Sequence, residues 1–105
     1  MERGGYIYML TNKNNSTLYI GVTANIEARL SEHKSKVNPN SFSARCFLDK
    51  LVYIEFFETI DEAILREKQL KGGSRKAKET LINKVNPEWK DLSMRIDEFI
   101  DQNSE

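Results

Sequence analysis

Glu67 is the residue of this 105-residue sequence whose chemistry is hardest to explain by packing. At helical spacing it shares a stripe with Ile60, Ile64 and Leu70, which places a carboxylate in the middle of an apolar row. Because burial of a carboxylate without a partner is strongly unfavourable, Glu67 needs a partner. A structural ion pair with Arg29 is one explanation, and a functional role is the other.

Arg29 and His33 raise the same question on an earlier segment. Helical spacing places both beside Ile26 and Leu30, whose apolar side chains face the core. The packing explanation is an arginine whose stem lies along the core edge while its charge reaches water. We predict a helix over about residues 25–35, with Thr23 or Asn25 as its N-cap and an acidic residue in its first turn.

Two predicted strands precede this helix. Gly5–Thr11 and Thr17–Gly21 are rich in aromatic and β-branched residues, and the intervening Asn12–Ser16 consists of turn-forming types. The two strands should therefore pair as an antiparallel hairpin. They carry three tyrosines, for which core or cross-strand packing is the ordinary role: Tyr6, Tyr8 and Tyr19.

The second half of the chain predicts one strand and two helices. Lys36–Asp49 has no clear period and is predicted to be a loop, whereas Leu51–Phe57 is apolar at nearly every position. Such a strand is central in its sheet or covered on both faces. Thr59 and Glu62 have the spacing of a capping box, which predicts a helix from about residue 60 to 71, ended by two glycines.

Ser74 can cap a further helix through about Lys84, which Asn86 and the following proline end. Trp89 should pack back on the core. The sequence thus predicts an α+β fold, a small antiparallel or mixed three-stranded sheet flanked by helices in the order β-β-α-β-α-α. We expect one domain over residues 1–92 and an acidic tail or short helix over residues 93–105.

The joint spacing of five features resembles the GIY-YIG nuclease family over about residues 5–85. They are Tyr6-Ile7-Tyr8, Tyr19-Ile20-Gly21 ten residues later, Arg29 eight residues after that glycine, an Arg-x-x-x-His pair, and Glu67 within its helix. Each tripeptide alone is a weak signal, and the ordered set is specific. The resemblance implies the family's fold and a divalent-metal phosphodiesterase activity on nucleic acid, here a small stand-alone endonuclease acting on DNA, structured or single-stranded.

The resemblance also implies roles for individual residues. Tyr8 stands at the first motif tyrosine and is expected to act as the base, with Tyr19 supporting it. A phenol with a pKa near about 10 is a poor base at neutral pH, so the site has to stabilise the phenolate. Arg29 is expected to bind the scissile phosphate, and Glu67 to hold Mg²⁺ or Mn²⁺.

Two further positions match the family, and two depart from it. Gly21 is expected to allow close backbone approach at the strand end, and His33 to position water or phosphate. Tyr6 replaces the first motif's glycine, and Val22 stands where some members carry a lysine that assists the base. Asn83 and Asn86 are both candidates for a family asparagine near the end of the domain; a capping or turn role is preferred for each.

Charge is unevenly distributed in a chain whose formal net charge is zero. Residues 1–83 hold 13 basic and 10 acidic residues, whereas residues 84–105 hold 3 and 6. The first part therefore has a surplus of positive charge available for phosphate contacts, and bulk charge should give only weak, salt-sensitive affinity. The candidate phosphate-binding residues are Arg45, Lys68, Lys71, Arg75 and Lys76.

A single cysteine, Cys46, excludes an internal disulfide and a thiolate zinc cluster. Apolar runs of only a few residues predict no membrane segment, so the cytoplasm is the expected location. Two other functions remain open at this stage. One is a nucleic-acid-binding module that uses the same groove without cutting, and the other is an interaction protein that retains only the fold.

Overall fold

A three-stranded antiparallel sheet forms the centre of the computed structural model, which describes residues 4–29, 48 and 50–93. The strands are β1 (Gly5–Thr11), β2 (Leu18–Thr23) and β3 (Lys50–Phe57), and their order across the sheet is β2-β1-β3. β1 pairs antiparallel with both neighbours. The predicted α+β class and the β1–β2 hairpin are therefore confirmed, although β2 extends two residues beyond the predicted end.

The hairpin loop is organised by the side chain of Asn12. Its Oδ1 accepts hydrogen bonds from the backbone N–H groups of Ser16 at 2.8 Å and Thr17 at 3.3 Å. Asn15 has a φ of 59°, a left-handed conformation that asparagine tolerates better than most residues. The turn-forming composition of this segment thus produces the tight reversal that the sequence predicts.

Two helices follow β3 in the chain: α1 (Ile60–Lys71) and α2 (Arg75–Val85). The N-cap Thr59 accepts from the Glu62 N–H, and the Glu62 carboxylate accepts from the Thr59 N–H, so the predicted capping box is confirmed. Ser74 caps α2 through its hydroxyl, which accepts from the N–H of Ala77 at 3.1 Å. Among the described residues, none of the helices is long and apolar enough to cross a membrane.

Residues 26–29 are helical, and the Asn25 side chain caps them by accepting from Ala28 N at 3.0 Å. The remainder of the helix predicted over 25–35 lies outside the described residues. So do the predicted loop over 36–49, apart from residue 48, and the acidic tail or short helix predicted over 93–105, apart from residue 93.

Alternation along the strands divides the core into one cluster on each face of the sheet. The first cluster joins Ile7 and Met9 of β1 to α1 and α2 through Ala63, Leu70 and Ile82. The second cluster lies on the other face and contains Tyr8, Leu10, Ile26, Leu48 and Leu51. Trp89 is partly buried against the first cluster, so the prediction that it packs back on the core is confirmed.

β3 is an edge strand of the described sheet, so the first of the two alternatives predicted for it, a central position, is wrong, and β1 holds that place. The apolar run of β3 is explained by a β-bulge rather than by a central position. Leu51, Val52 and Tyr53 are all buried because the register shifts between Met9 and Leu10, which makes Val52 an extra, bulged residue. These three side chains consequently divide between the two clusters, and the start of the strand is covered on both faces.

The segment after α2 covers the outer edge of β3. Leu92 N donates to Leu51 O at 2.7 Å, and Asp91 Oδ1 accepts from Leu51 N at 3.1 Å. The buried Asn86 amide donates to Val52 O at 3.1 Å and to Lys90 O at 2.9 Å. These bonds satisfy backbone groups that an edge strand otherwise leaves open. The turn role expected for Asn86 is thereby confirmed.

Candidate active site

Tyr8 and Gly21 lie directly opposite each other in the β1–β2 ladder. A Cβ atom on residue 21 would overlap the hydroxyl and Cζ of Tyr8 and would lie 2.9 Å from its Cε1. The phenol ring of Tyr8 therefore extends across the backbone of residue 21, and only glycine leaves room for it. This is a steric reason for the glycine that ends the second motif.

Tyr19 lies beside Tyr8 on the same face of the sheet. The centroids of the two rings are 6.3 Å apart, with an interplanar angle of 46°. Tyr8 is 0% exposed within the second cluster, whereas Tyr19 is half-buried at its margin. Of the paired motif tyrosines, Tyr19 is therefore the one that reaches the surface.

Tyr6 shares this face but has a different neighbour. Its ring meets Phe56 of β3 edge-on, with centroids 5.2 Å apart and an interplanar angle of 62°. The contact is a cross-strand aromatic pair, because Tyr6 and Phe56 are register partners. The packing role is thus sufficient to explain the tyrosine that replaces the motif's glycine.

Arg29 is half-buried and lies one helical turn after Ile26, which is 2% exposed in the tyrosine-containing cluster. Its backbone N–H donates to Asn25 O at 3.1 Å, the first bond of the helical turn. The turn is thus anchored on the tyrosine face of the sheet. His33 and Arg45, the other site residues predicted from this part of the chain, lie outside the described residues.

Glu67 occupies the buried side of α1. Its side chain is only 16% exposed, and its Oε2 lies 3.0 Å from the ammonium of Lys71, which is 55% exposed. The buried residues that flank it at helical spacing are Ala63 and Leu70. Ala63, rather than the half-buried Ile64, therefore completes the stripe that the sequence predicted around this carboxylate.

Gly5 permits the close approach of α1 to the sheet. A Cβ on Gly5 would lie 2.6 Å from Ile60 Cδ1 and 3.1 Å from Ala63 Cβ. The first turn of α1 thus rests on the start of β1, and the helix packs mainly on β1 and β2. This role of Gly5 was not predicted from the sequence, in which the available signal was a glycine in the first position of a strand.

The tyrosine pair and Glu67 lie on opposite faces of the sheet. Ile7 and Met9 contact the α1 side, so the alternate residues of β1, including Tyr8, point the other way. The structure therefore brings Tyr8, Tyr19 and Gly21 together directly, and it places the helix that carries Glu67 on the other face of the sheet.

The donor chemistry at Glu67 fits a hard divalent cation. In residues 4–29, 48 and 50–93, no three His, Cys, Asp or Glu side chains form a group able to hold a metal ion. Mg²⁺ commonly takes one or two carboxylates and completes its shell with waters and substrate phosphates. A single, largely buried carboxylate whose pairing partner in this part of the chain is an exposed lysine matches that requirement.

The four described candidates for phosphate binding differ in their contacts. Lys68 and Lys76 are exposed, and Lys71 pairs with Glu67. The Arg75 guanidinium donates to the hairpin-loop carbonyls of Ser16 at 2.8 Å and Asn15 at 2.6 Å. Its Nε also bonds Glu79 at 2.7 Å. Arg75 thus fastens α2 to the hairpin, a role that its sequence context did not indicate.

A second polar group links α1 to β3. Glu55 Oε1 accepts hydrogen bonds from the Tyr53 hydroxyl and from Arg66 Nε, both at 3.2 Å. Burial, followed by the charge and hydrogen bond of Glu55, raises the pKa of Tyr53, and Arg66 opposes the shift. The network holds the helix that carries Glu67 against the sheet.

The described site combines a small antiparallel sheet that carries two adjacent tyrosines, one of them lying over a glycine, with a flanking helix that carries a largely buried carboxylate. The chain matches the family model described as the GIY-YIG catalytic domain over residues 4–86 and belongs to the GIY-YIG family. The resemblance inferred from the motif spacing is therefore confirmed.

The chain is similar in sequence and in structure to proteins of about its own length. It is 40% identical over 83 residues to a UPF0213 protein of Syntrophus aciditrophicus, covering 79% of this chain and 93% of that protein. It is 40% identical over 91 residues to a UPF0213 protein of Bacillus licheniformis, covering 87% and 93% of the two chains. The solution NMR structure of a UPF0213 protein from Bacillus halodurans matches with a TM-score of 0.54 at 26% identity, covering 85% of this chain and 93% of that one.

Proposed function

We propose that this chain is a divalent-metal-dependent endonuclease that hydrolyses phosphodiester bonds of DNA through tyrosine-assisted attack of water. The observation that carries the proposal is the juxtaposition of Tyr8, Tyr19 and Gly21, in which a glycine makes room for a buried phenol beside a second, surface-reaching phenol. In the proposed function these two phenols form the part of the site that takes the proton from the attacking water.

The exposures of the two tyrosines support a division of roles. A proton acceptor has to meet the water that it deprotonates. Tyr19 reaches the surface and Tyr8 is 0% exposed, which favours Tyr19 as the acceptor and Tyr8 as its support. The resemblance alone suggested the opposite assignment. Arg29, half-buried on the same side, is proposed to bind the scissile phosphate through its planar guanidinium.

Glu67 is proposed to hold the metal ion, Mg²⁺ or Mn²⁺. When bound, such an ion supplies Lewis-acid stabilisation of charge on the phosphate and its leaving oxygen. The contribution of the protein is a carboxylate that is only 16% exposed, on the side of α1 that buries Ala63 and Leu70. Exposed Lys68 and Lys76 are proposed to contact the DNA backbone farther from the reacting phosphate.

The test is cleavage of supercoiled plasmid and of single-stranded, duplex and branched DNA with Mg²⁺ or Mn²⁺. Glu67→Gln keeps the shape of the side chain and removes its charge, and Tyr19→Phe removes only the hydroxyl. Each should lower the rate about 100-fold or more, as loss of a transition-state contact does. Glu58→Gln, at an exposed position just before α1, is the matched control and should cleave as the wild type does.

Wild-type rates in Glu67→Gln would refute the proposal. The absence of a lysine at Val22 favours a second candidate, a nucleic-acid-binding module that does not cut. Its signature is salt-sensitive DNA binding that survives Glu67→Gln, with no cleavage by the wild type under any of these conditions.

A further inference from the structure

Lys71 and Glu67 form an ion pair whose two members differ sharply in exposure. The ammonium lies 3.0 Å from Glu67 Oε2, yet 55% of the lysine side chain is exposed against 16% for the glutamate. We propose that Lys71 occupies the Glu67 carboxylate until a divalent ion replaces it, and that the released ammonium then contacts the DNA phosphate. This inference rests on the proposed function, because it takes Glu67 as the metal ligand.

The difference in exposure determines which partner moves. Glu67 belongs to the buried stripe of α1, between Ala63 at 0% and Leu70 at 7% exposure, so its carboxylate stays where the helix holds it. The lysine ammonium sits at the end of a flexible four-carbon stem that already lies largely in water. Exchange therefore requires only a change of lysine rotamer, with the backbone and the carboxylate unchanged.

Helical spacing makes Lys71 the specific competitor. Residues four apart on a helix lie on one face, whereas adjacent residues do not face each other. Lys68 is exposed on the same helix and carries the same charge, but it directly follows Glu67 in the chain, and the ion pair of that carboxylate within the described residues is with Lys71. Lys68 thus provides a control for the general effect of removing a nearby positive charge.

Two opposite effects distinguish cation exchange from simpler roles. Loss of the Lys71 charge removes the competitor of the metal ion, so metal affinity should rise about two- to fivefold, the range of a partly exposed helical ion pair. Loss of the same charge removes a phosphate contact, so DNA affinity should fall. A lysine that only contacted phosphate would change DNA binding alone, and a purely structural pair would change the stability of the helix alone.

The experiment measures Mn²⁺ binding to the full chain by the loss of the free-ion electron paramagnetic resonance signal. Wild type, Glu67→Gln, Lys71→Gln and Lys68→Gln are compared, with thermal melts to verify folding. The inference requires Glu67→Gln to abolish binding and Lys71→Gln to tighten it about two- to fivefold beyond Lys68→Gln. Fluorescence anisotropy with a labelled DNA duplex should show weaker binding by Lys71→Gln.

Failure of the proposed metal site and failure of the cation exchange give different results in these measurements. If Glu67→Gln binds Mn²⁺ as tightly as the wild type does, Glu67 is not the ligand, and the proposed metal site falls together with this inference. If Glu67→Gln abolishes binding while Lys71→Gln and Lys68→Gln have equal affinities, the exchange is refuted and the proposed function stands.

Discussion

Replacement of Gly21 by alanine should damage the site through Tyr8, although it adds only one methyl group. The new Cβ would overlap the Tyr8 hydroxyl and Cζ and would lie 2.9 Å from Cε1. Ordinary carbon contacts start at about 3.5 Å, so the end of the ring has to move by roughly 1 Å. Tyr8 is 0% exposed, with Leu10 and Ile26 in the same cluster, so the ring can move only by displacing neighbours in the core.

The expected cost is that of overpacking a closed core, about 1–3 kcal/mol in the free energy of unfolding. For a domain of this size, each kcal/mol lowers the melting temperature by about 4–8 °C. Urea denaturation followed by circular dichroism measures the cost directly. DNA cleavage should fall as well, because the displaced phenol of Tyr8 is the support proposed for Tyr19.

Gly73→Ala is the matched control, since a Cβ there would have its nearest neighbour, Leu70 O, at 3.5 Å. It should leave stability within about 0.5 kcal/mol of the wild type or raise it slightly. A double-mutant cycle with Tyr8→Leu tests the mechanism, because shortening the side chain removes the overlap. If the costs of Gly21→Ala and Tyr8→Leu add to within about 0.5 kcal/mol, the steric explanation is refuted.

Three further predictions concern groups around the sheet. Arg75→Ala should lower stability by about 1 kcal/mol, because two hairpin-loop carbonyls lose charge-assisted bonds, and it should leave the salt dependence of DNA binding unchanged; urea melts and anisotropy titrations check both. Burial and Glu55 raise the pKa of Tyr53, so the contribution of the neutral phenol to stability is complete below about pH 10 and is lost as the pH rises through the folded-state pKa. Between about pH 9 and 11 the wild type should therefore lose more stability than Tyr53→Phe, and equal losses would contradict this. Asn86→Asp directs a carboxylate at two backbone carbonyls that now accept amide N–H bonds and should cost about 2–3 kcal/mol in urea, against little for Asn83→Asp, whose oxygen accepts from an indole N–H.

The helices could be predicted closely because their ends depend on local chemistry. The capping box of Thr59 and Glu62 marks the start of α1, and the glycines after Lys71 mark its end. Both signals lie in the local sequence. β3 shows the opposite case. Its apolar run indicated coverage on both faces, but hydrophobicity does not report which strand lies alongside. Leu92, about forty residues away, protects the outer edge of the strand, and sequence periodicity contains no signal for such a contact.

The candidate site was likewise predictable only in part. Motif spacing identified Tyr8, Tyr19 and Glu67, and the structure explains Gly21 by a cross-strand contact that the spacing does not express. Arg75 was assigned to phosphate because it belongs to a basic segment. Its bonds to backbone carbonyls some sixty residues earlier depend on the tertiary fold, which local charge cannot reveal.

The arrangement of the sheet restricts where one phosphate can meet both halves of the site. Tyr19 and Glu67 lie on opposite faces of a single sheet layer, and side chains from two faces converge only around an edge. β2 is an outer strand in the described sheet and carries Tyr19, and the Tyr8 ring extends over the same strand at Gly21. A phosphate held by the proposed ligand Glu67 and attacked by water at either tyrosine would therefore have to lie near β2. Topology thus does not separate the two tyrosines, and the proposal that Tyr19 meets the attacking water rests on its exposure, because Tyr19 is half-buried whereas Tyr8 is 0% exposed.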